Sequence, residues 1–166
     1  MVGAAPRVFI SRPIPDEVAE RIRRECTVDM WPASDPPPPL SEKIEDVDGV
    51  ITYGHERLTA EAMDAAPRLR VVSVMGVGYD HVDAEAARAR GIAVGHTPGV
   101  LDETTADLTF ALLMTAARRL IPAHDHVRAG RWTLFDPNIL WGVDVHHATL
   151  GIVGMVHVDT DRKSVV

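Results

Sequence analysis

Two glycines that flank a single valine follow directly on a short apolar run, at Gly76, Val77 and Gly78. In an open parallel α/β sheet, ligands bind just beyond the carboxyl ends of the strands. Glycine lets the backbone turn sharply there and leaves N–H groups free to face an anion such as a carboxylate. These three residues are therefore candidate substrate contacts, although the same spacing also fits a tight strand-to-helix turn with no ligand.

A second glycine pattern begins at Gly151 and runs through Gly154, Met155 and Val156. It resembles the opening strand and turn of a dinucleotide-binding unit, which makes the last three residues candidate cofactor contacts. Valine occupies the position of the second glycine, where a side chain blocks the pyrophosphate, so the motif is weak by itself. A complete unit needs roughly 30 residues or more, and we expect this chain to hold only its beginning.

The hydroxyls of Thr104 and Thr105 stand at the start of the longest helical pattern. Thr104 fits the capping-box pattern, in which a hydroxyl satisfies free N–H groups of the first turn. Thr105 is then free to offer its hydroxyl to a ligand at the helix N-terminus, where anions are favoured.

The chain contains eight histidines, but their spacing does not indicate a metal site. His124 and His126 are two residues apart and so lie on different helix faces, and His146 and His147 are adjacent in a predicted loop. No further ligand joins either pair at metal-binding spacing. A serine hydrolase is also excluded, because the Gly-x-Ser-x-Gly elbow is missing.

Composition limits the classes of partner that this chain can serve. Its 166 residues carry a net charge of −7, and the 17 basic residues form no stripe, which argues against nucleic acid and anionic membranes. Cys26 is the only cysteine, which suits a reducing compartment. No apolar run reaches the 18 residues that a membrane helix needs. We expect a soluble, cytoplasmic protein.

Short β-branched runs alternate with helical patterns from the N-terminus to Gly95. The predicted strands are Arg7–Ser11, Thr27–Trp31, Gly49–Tyr53, Val71–Met75 and Ile92–Gly95. The predicted helices between them are Pro15–Glu25, Ser41–Asp46, Thr59–Ala66 and Asp83–Arg90. Strict alternation with short links predicts an α/β fold with a flavodoxin-like, doubly wound parallel sheet.

A long helix is predicted over Asp102–Leu120 and is expected to end at Pro122. An irregular segment rich in aromatic residues, Ala123–His147, follows it. Such a segment fits either a clamp onto another subunit or domain, or a loop folded over its own core.

Taken in order, these segments resemble the D-isomer-specific 2-hydroxyacid dehydrogenases, and most closely their glyoxylate/hydroxypyruvate reductase branch. The resemblance covers roughly Arg7 to Met155 and is strongest over Val72–Asp83 and Arg90–Leu101. It implies an oxidoreductase that uses NAD or NADP and acts on small 2-oxo and 2-hydroxy acids.

The resemblance also implies roles for particular residues. The backbone of Val77 and Gly78 would hold the substrate carboxylate, Thr105 would lie near the cofactor, and the segment around Phe135 would contact a second subunit in a homodimer. The catalytic arginine, glutamate and histidine of the family lie beyond the end of this chain, so none is assigned here. We therefore expect the chain to be inactive by itself.

Four regions are predicted on this basis. Residues 1–101 form the substrate domain, 102–148 the interdomain helix and dimerisation arm, and 149–160 the beginning of the dinucleotide-binding domain. Residues 161–166 match the translation of a common sequencing-library adapter, and we expect them to be a non-native tail.

Two interpretations from other functional classes remain open. One is a non-enzymatic, flavodoxin-like binding module, and the other is a dehydrogenase-like co-repressor that acts by binding partners. A phospho-receiver version of the binding module needs clustered acidic residues after the first strand and an aspartate at the end of the third. It is excluded, because this chain has Ser11-Arg12-Pro13 and Thr52-Tyr53-Gly54 at those positions.

Overall fold

The computed structural model describes residues 4–34, 36, 39–54 and 56–153. The chain divides into two compact units, Met1–Pro98 and Gly99–Val166, and each is described by itself. The predicted boundaries of the four regions stay predictions.

Unit 1 is built on five parallel strands in the order β2-β1-β3-β4-β5. This order is the flavodoxin-like one, so the predicted fold class is confirmed. The strands are β1 Arg7–Ile10, β2 Thr27–Met30, β3 Gly49–Thr52, β4 Val71–Val74 and β5 Ala93–Gly95.

Three α-helices connect these strands, namely α1 Asp16–Arg23, α2 Ala60–Asp64 and α3 Ala84–Ala89. The side chains of Thr59 and Asp83 cap α2 and α3 by accepting hydrogen bonds from backbone N–H groups of the first turn, as N-cap residues do. The helix predicted over Ser41–Asp46 is only a single 3₁₀ turn, Leu40–Glu42. Pro39 stands at its N-cap without a side-chain hydrogen bond.

The core of unit 1 lies on both faces of the sheet. Phe9, Val50 and Val72 point to one face and join the buried residues of α2 and α3, whereas Ile10 and Ala19 form a smaller cluster on the other. Alternate strand residues reach opposite faces because side chains alternate along a strand. Burial of each of the larger side chains contributes roughly 1.5–3 kcal/mol, which fixes the carboxyl ends of the strands in place.

Unit 2 contains two helices, α4 Asp102–Ala117 and α5 Leu120–Arg128, separated by Arg118 and Arg119. The prediction of one helix to Leu120 that ends at Pro122 is wrong. Arg119 adopts a left-handed conformation with φ 52°, which breaks the helix before the proline. Pro122 then lies in the first turn of α5, where its missing N–H costs no hydrogen bond.

The rest of unit 2 departs further from the predicted elements. The segment predicted as irregular from Ala123 is helical as far as Arg128. Residues 149–153 are assigned neither helix nor strand, and the remainder of that predicted strand lies outside the described residues. A strand is held by pairing with a neighbour, and no described strand pairs with this stretch. Among the helices in the described part of the chain, none combines the length and the hydropathy that a membrane span requires.

Candidate functional site

The glycine loop, which we define as residues 76–78, leaves the carboxyl end of β4 between the ends of β3 and β5. Register with both neighbours extends to the last residues of β4, because Thr52 of β3 pairs with Val74 and Gly95 of β5 pairs with Ser73. Val77 and Gly78 are exposed at this edge, and Gly76 is half-buried. The loop therefore occupies the position that ligands use in open α/β sheets.

The two glycines of this loop are not required by backbone conformation. Neither has a φ in the left-handed region. A Cβ built on Gly76 meets no atom within 4 Å, and one built on Gly78 meets only the Asp80 carboxylate at 3.4 Å. The expectation that glycine is needed for a sharp turn is thus not met. Because neither glycine has a side chain, the backbone of the loop is left accessible to a ligand.

The carbonyls of the glycine loop are held by two consecutive residues that follow β5. The backbone N–H of Thr97 donates to the carbonyl oxygen of Gly76 at 2.9 Å. Nδ1 of His96 lies 2.9 Å from the carbonyl oxygen of Val77. Within the described chain, no acceptor faces the N–H of Val77 or Gly78. Two backbone donors are therefore available to an anion.

An aromatic contact supports the His96 ring. Its centroid lies 5.0 Å from that of Tyr79, at an interplanar angle of 62°, in the edge-to-face arrangement that aromatic pairs prefer. Reasoning from the sequence missed His96, because its role depends on β4 and β5 being neighbours. The signal that was present is a polar residue directly after a strand at the same edge as the glycine loop.

Three buried polar side chains lie at the end of β3 and in the segments that follow β1 and β3, and sequence reasoning missed this cluster too. The Thr52 hydroxyl donates to Oε2 of Glu56 at 2.9 Å, and both residues are buried. The hydroxyl of Ser11 and Oε1 of Glu56 are buried without a hydrogen-bond partner among the described residues. Unpaired buried polar atoms are rare in folded proteins, so this cluster marks the same edge as chemically specialised.

The segment after β3 is joined to the segment after β4 by backbone hydrogen bonds. Leu58 N–H donates to the His81 carbonyl at 2.9 Å, and Asp83 N–H donates to the Leu58 carbonyl at 3.0 Å.

A side-chain hydrogen bond connects the segments after β1 and β3. The Tyr53 hydroxyl donates to the Pro13 carbonyl at 3.1 Å, and burial raises the pKa of Tyr53. Tyr53 therefore serves as a neutral donor that ties the segment after β1 to the segment after β3.

Thr104 and Thr105 lie in the first turn of α4, which starts at Asp102. The prediction that Thr104 caps the helix is wrong, because it is the third helical residue and Leu101 occupies the N-cap without a side-chain hydrogen bond. The Thr104 hydroxyl donates to the Leu101 carbonyl at 3.1 Å. Thr105 is exposed, and its carbonyl accepts from the Thr109 hydroxyl at 2.8 Å. Its own hydroxyl has no partner in the described chain.

The other predicted cofactor contacts, Gly154, Met155 and Val156, lie outside the described residues. Of the histidines considered as metal ligands, His124 is on α5 and lies 3.3 Å from the Asp125 carboxylate. Across the part of the chain that the structure describes, no group of three histidine, cysteine, aspartate or glutamate side chains is arranged to hold a metal ion.

Comparison with known proteins gives concordant results for sequence and structure. A family model for the catalytic domain of D-isomer specific 2-hydroxyacid dehydrogenases matches residues 8–156. The glyoxylate reductase of Korarchaeum cryptofilum is 44% identical over 153 residues, which make up 90% of this chain and 46% of that protein. The glyoxylate reductase of Thermococcus kodakarensis is 43% identical over 155 residues, with the same coverage.

Two crystal structures share the fold over nearly the whole chain. One is a protein from Thermus thermophilus, with a TM-score of 0.84 and 42% identity over 93% of this chain and 50% of that one. The other is an NADPH-dependent glyoxylate/hydroxypyruvate reductase from Sinorhizobium meliloti, in complex with NADP and malonate. It has a TM-score of 0.74 and 32% identity over 95% of this chain and 48% of that one. The chain spans about half the length of the relatives it matches.

Proposed function

The chain belongs to the D-isomer specific 2-hydroxyacid dehydrogenase family, and from this premise we propose that it supplies the substrate-binding part of an NAD(P)-dependent oxidoreductase. The substrates proposed are small 2-oxo and 2-hydroxy acids of the glyoxylate and hydroxypyruvate kind. The curated relatives are named glyoxylate reductases, and the Sinorhizobium meliloti structure is named for the same activity.

The observation that carries this proposal is the pair of free backbone donors in the glycine loop. The N–H groups of Val77 and Gly78 have no acceptor in the described chain, and neither glycine places a side chain over them. A carboxylate accepts such bonds strongly, because hydrogen bonds to an ionised acceptor are roughly twice as strong as neutral ones. We assign the carboxylate of the 2-oxo acid to these two donors, with Gly76 leaving room for the approach.

The described residues do not by themselves form a site for a nicotinamide dinucleotide. Thr105 is the one predicted cofactor contact among them, and an exposed hydroxyl is not enough to hold a pyrophosphate. The glycine turn that would let a pyrophosphate approach the backbone is predicted to start at Gly154, which lies outside the described residues. The proposed use of NAD or NADP, and of Thr105 as a cofactor contact, therefore rests on membership of the family.

Binding of glyoxylate to the isotopically labelled 166-residue chain, followed by NMR, tests the proposal. We expect the amide signals of Val77 and Gly78 to shift with a common saturating curve. G78A places a methyl group beside the donor and should weaken binding. G95A is the matched control, because it makes the same substitution outside the loop and a Cβ there meets no atom within 4 Å. A wild-type titration in which these two amides stay unmoved contradicts the proposal.

Homodimer formation through the aromatic arm, residues 129–148, is a second part of the proposal. Trp132, Leu134, Phe135 and Trp141 are all more than half exposed, and Phe135 is 74% exposed. We propose that a second subunit covers these side chains. Sedimentation of the wild-type chain and of F135S should separate a dimer from a monomer. If both proteins sediment as monomers, the proposed dimer contact through the aromatic arm is contradicted.

We also propose a cytoplasmic location, which rests on the family and on the free cysteine Cys26.

A further inference from the structure

We infer that His96 is a positioning residue for the anion-binding N–H groups of Val77 and Gly78. Together with the backbone of Thr97, it holds the carbonyl groups that share a peptide plane with these N–H groups and so fixes the direction in which they point. The inference rests on the proposed function of the glycine loop and names what sets its geometry. It is carried by two hydrogen bonds from the segment after β5, by the ring contact to Tyr79, and by the planarity of the peptide unit.

The first step follows from peptide geometry. In a trans peptide the carbonyl oxygen of one residue and the N–H of the next lie in one plane and point in opposite directions. The carbonyl of Val77 accepts from His96 at 2.9 Å, so the Gly78 N–H in the same plane points away from His96. The carbonyl of Gly76 accepts from Thr97 N–H at 2.9 Å, so the Val77 N–H points away from Thr97.

The second step is that both planes are held from the same side. His96 and Thr97 are consecutive, and their donors fix consecutive carbonyls of the glycine loop. Both N–H groups therefore point away from the segment after β5, and neither donates a hydrogen bond within the described chain. Without these bonds a glycine-flanked loop has ample conformational freedom, and an anion would have to order it at a cost in affinity.

The third step concerns which nitrogen carries the proton. A backbone carbonyl only accepts, so Nδ1 of His96 must be the donor in this contact. A neutral His96 ring is then the Nδ1–H tautomer, with Nε2 unprotonated. The edge-to-face contact with Tyr79, at 5.0 Å between centroids, holds the ring in the orientation that this bond requires.

Three variants of the labelled 166-residue chain test the inference, with glyoxylate as the probe. H96A removes the donor, and we expect affinity to fall about fivefold, the value of one ordinary hydrogen bond. H96N keeps a donor at the δ position and should restore most of that loss. T27V, at the exposed amino end of β2, is the control and should bind as the wild type does. Equal affinity of H96A and wild type overturns the inference, as does failure of H96N to bind better than H96A.

A readout without ligand separates this inference from the proposed function. In the free chain, nitrogen NMR should show the Nδ1–H tautomer for the neutral His96 ring, and the carbonyl carbon signal of Val77 should move in H96A but not in H96N. If the wild-type chain does not bind glyoxylate while these signals behave as stated, the proposed function fails and the positioning holds. An Nε2–H tautomer, or an unmoved Val77 carbonyl in H96A, overturns the positioning whatever the chain binds.

Discussion

The hydroxyl of Thr52 donates to the carboxylate of Glu56 at 2.9 Å inside the protein, where Thr52 is 0% and Glu56 6% exposed. Thr52 closes β3, and Glu56 belongs to the segment whose Leu58 bonds to the segment after the glycine loop. This single contact therefore links a strand end to the side of the candidate site. Oε1 of Glu56 has no partner within the described residues, which makes the remaining bond to Oε2 the more important.

Removing this donor should destabilise the protein. T52V keeps the side-chain shape but leaves the buried Glu56 carboxylate without its partner, and we expect a loss of about 1–3 kcal/mol in the free energy of unfolding. The measurement is urea denaturation followed by circular dichroism. T27V makes the same chemical change at an exposed strand residue and should change stability by no more than about 0.5 kcal/mol. Equal effects of both variants would show that the bond does not matter.

Asp48 should make stability depend on pH at the opposite, amino-terminal edge of the sheet. The backbone N–H of Arg7 donates to its carboxylate at 2.8 Å and lowers the pKa of Asp48 below the ordinary 3.8, with help from Arg68 at 2.8 Å and against the opposing effect of burial. Because the pKa of Asp48 is lower in the folded than in the unfolded state, its carboxylate stabilises the protein in full at pH values above the pKa of the unfolded state. That stabilisation is lost as pH falls below it.

At pH 7 we expect the free energy of unfolding to be larger for the wild type than for D48N. This difference between the two proteins should become smaller as the pH is lowered from about 4 to 3. Denaturant titrations at several pH values measure it. D46N is the neutral-pH control, since Asp46 is mostly exposed and only 4.0 Å from Arg7, a pair worth roughly 1 kcal/mol or less. A gap between wild type and D48N that widens on acidification would refute the assignment.

Gly142 is the glycine with the strongest steric requirement among the described residues. A Cβ built on it would overlap the carbonyl oxygen of Ala117 and lie 3.0 Å from Cα of Arg118. The next residue, Val143, donates its N–H to the same Ala117 carbonyl at 2.8 Å. The arm thus returns to the end of α4 through backbone contact, which only glycine permits.

G142A should break this return and destabilise unit 2 by about 1–3 kcal/mol. The readout is hydrogen exchange of the Val143 amide, which should lose protection while Val72 in β4 keeps it. G151A is the control, because a Cβ there meets no atom within 4 Å. Unchanged protection of Val143 in G142A would mean that the arm tolerates a side chain at this position.

Sequence reasoning found those features that local chemistry encodes. The β-branched run at Val71 predicts a strand by itself, and strict alternation of strands and helices predicts a parallel sheet. The break at Arg119 was missed because a left-handed arginine carries no glycine or asparagine signal. The role of His96 was missed because it depends on β4 and β5 being neighbours, a contact that exists only once the sheet has formed. Glu56 lies only four residues from Thr52, but its burial depends on the rest of the fold and carries no signal in the sequence.

Limited proteolysis should separate the two units, because their interiors differ in packing. Apart from Ala106 of α4, every hydrophobic core residue found in the described chain belongs to unit 1. Backbone with few buried contacts opens more readily and is cut first. Trypsin should therefore cleave after the exposed Arg128 and Arg131 before it cleaves after Arg21, which is also exposed but lies on α1 of unit 1. Mass spectrometry should show early accumulation of a fragment that contains intact residues 7–95. Cleavage after Arg21 at the same rate as after Arg131 would contradict the difference in packing.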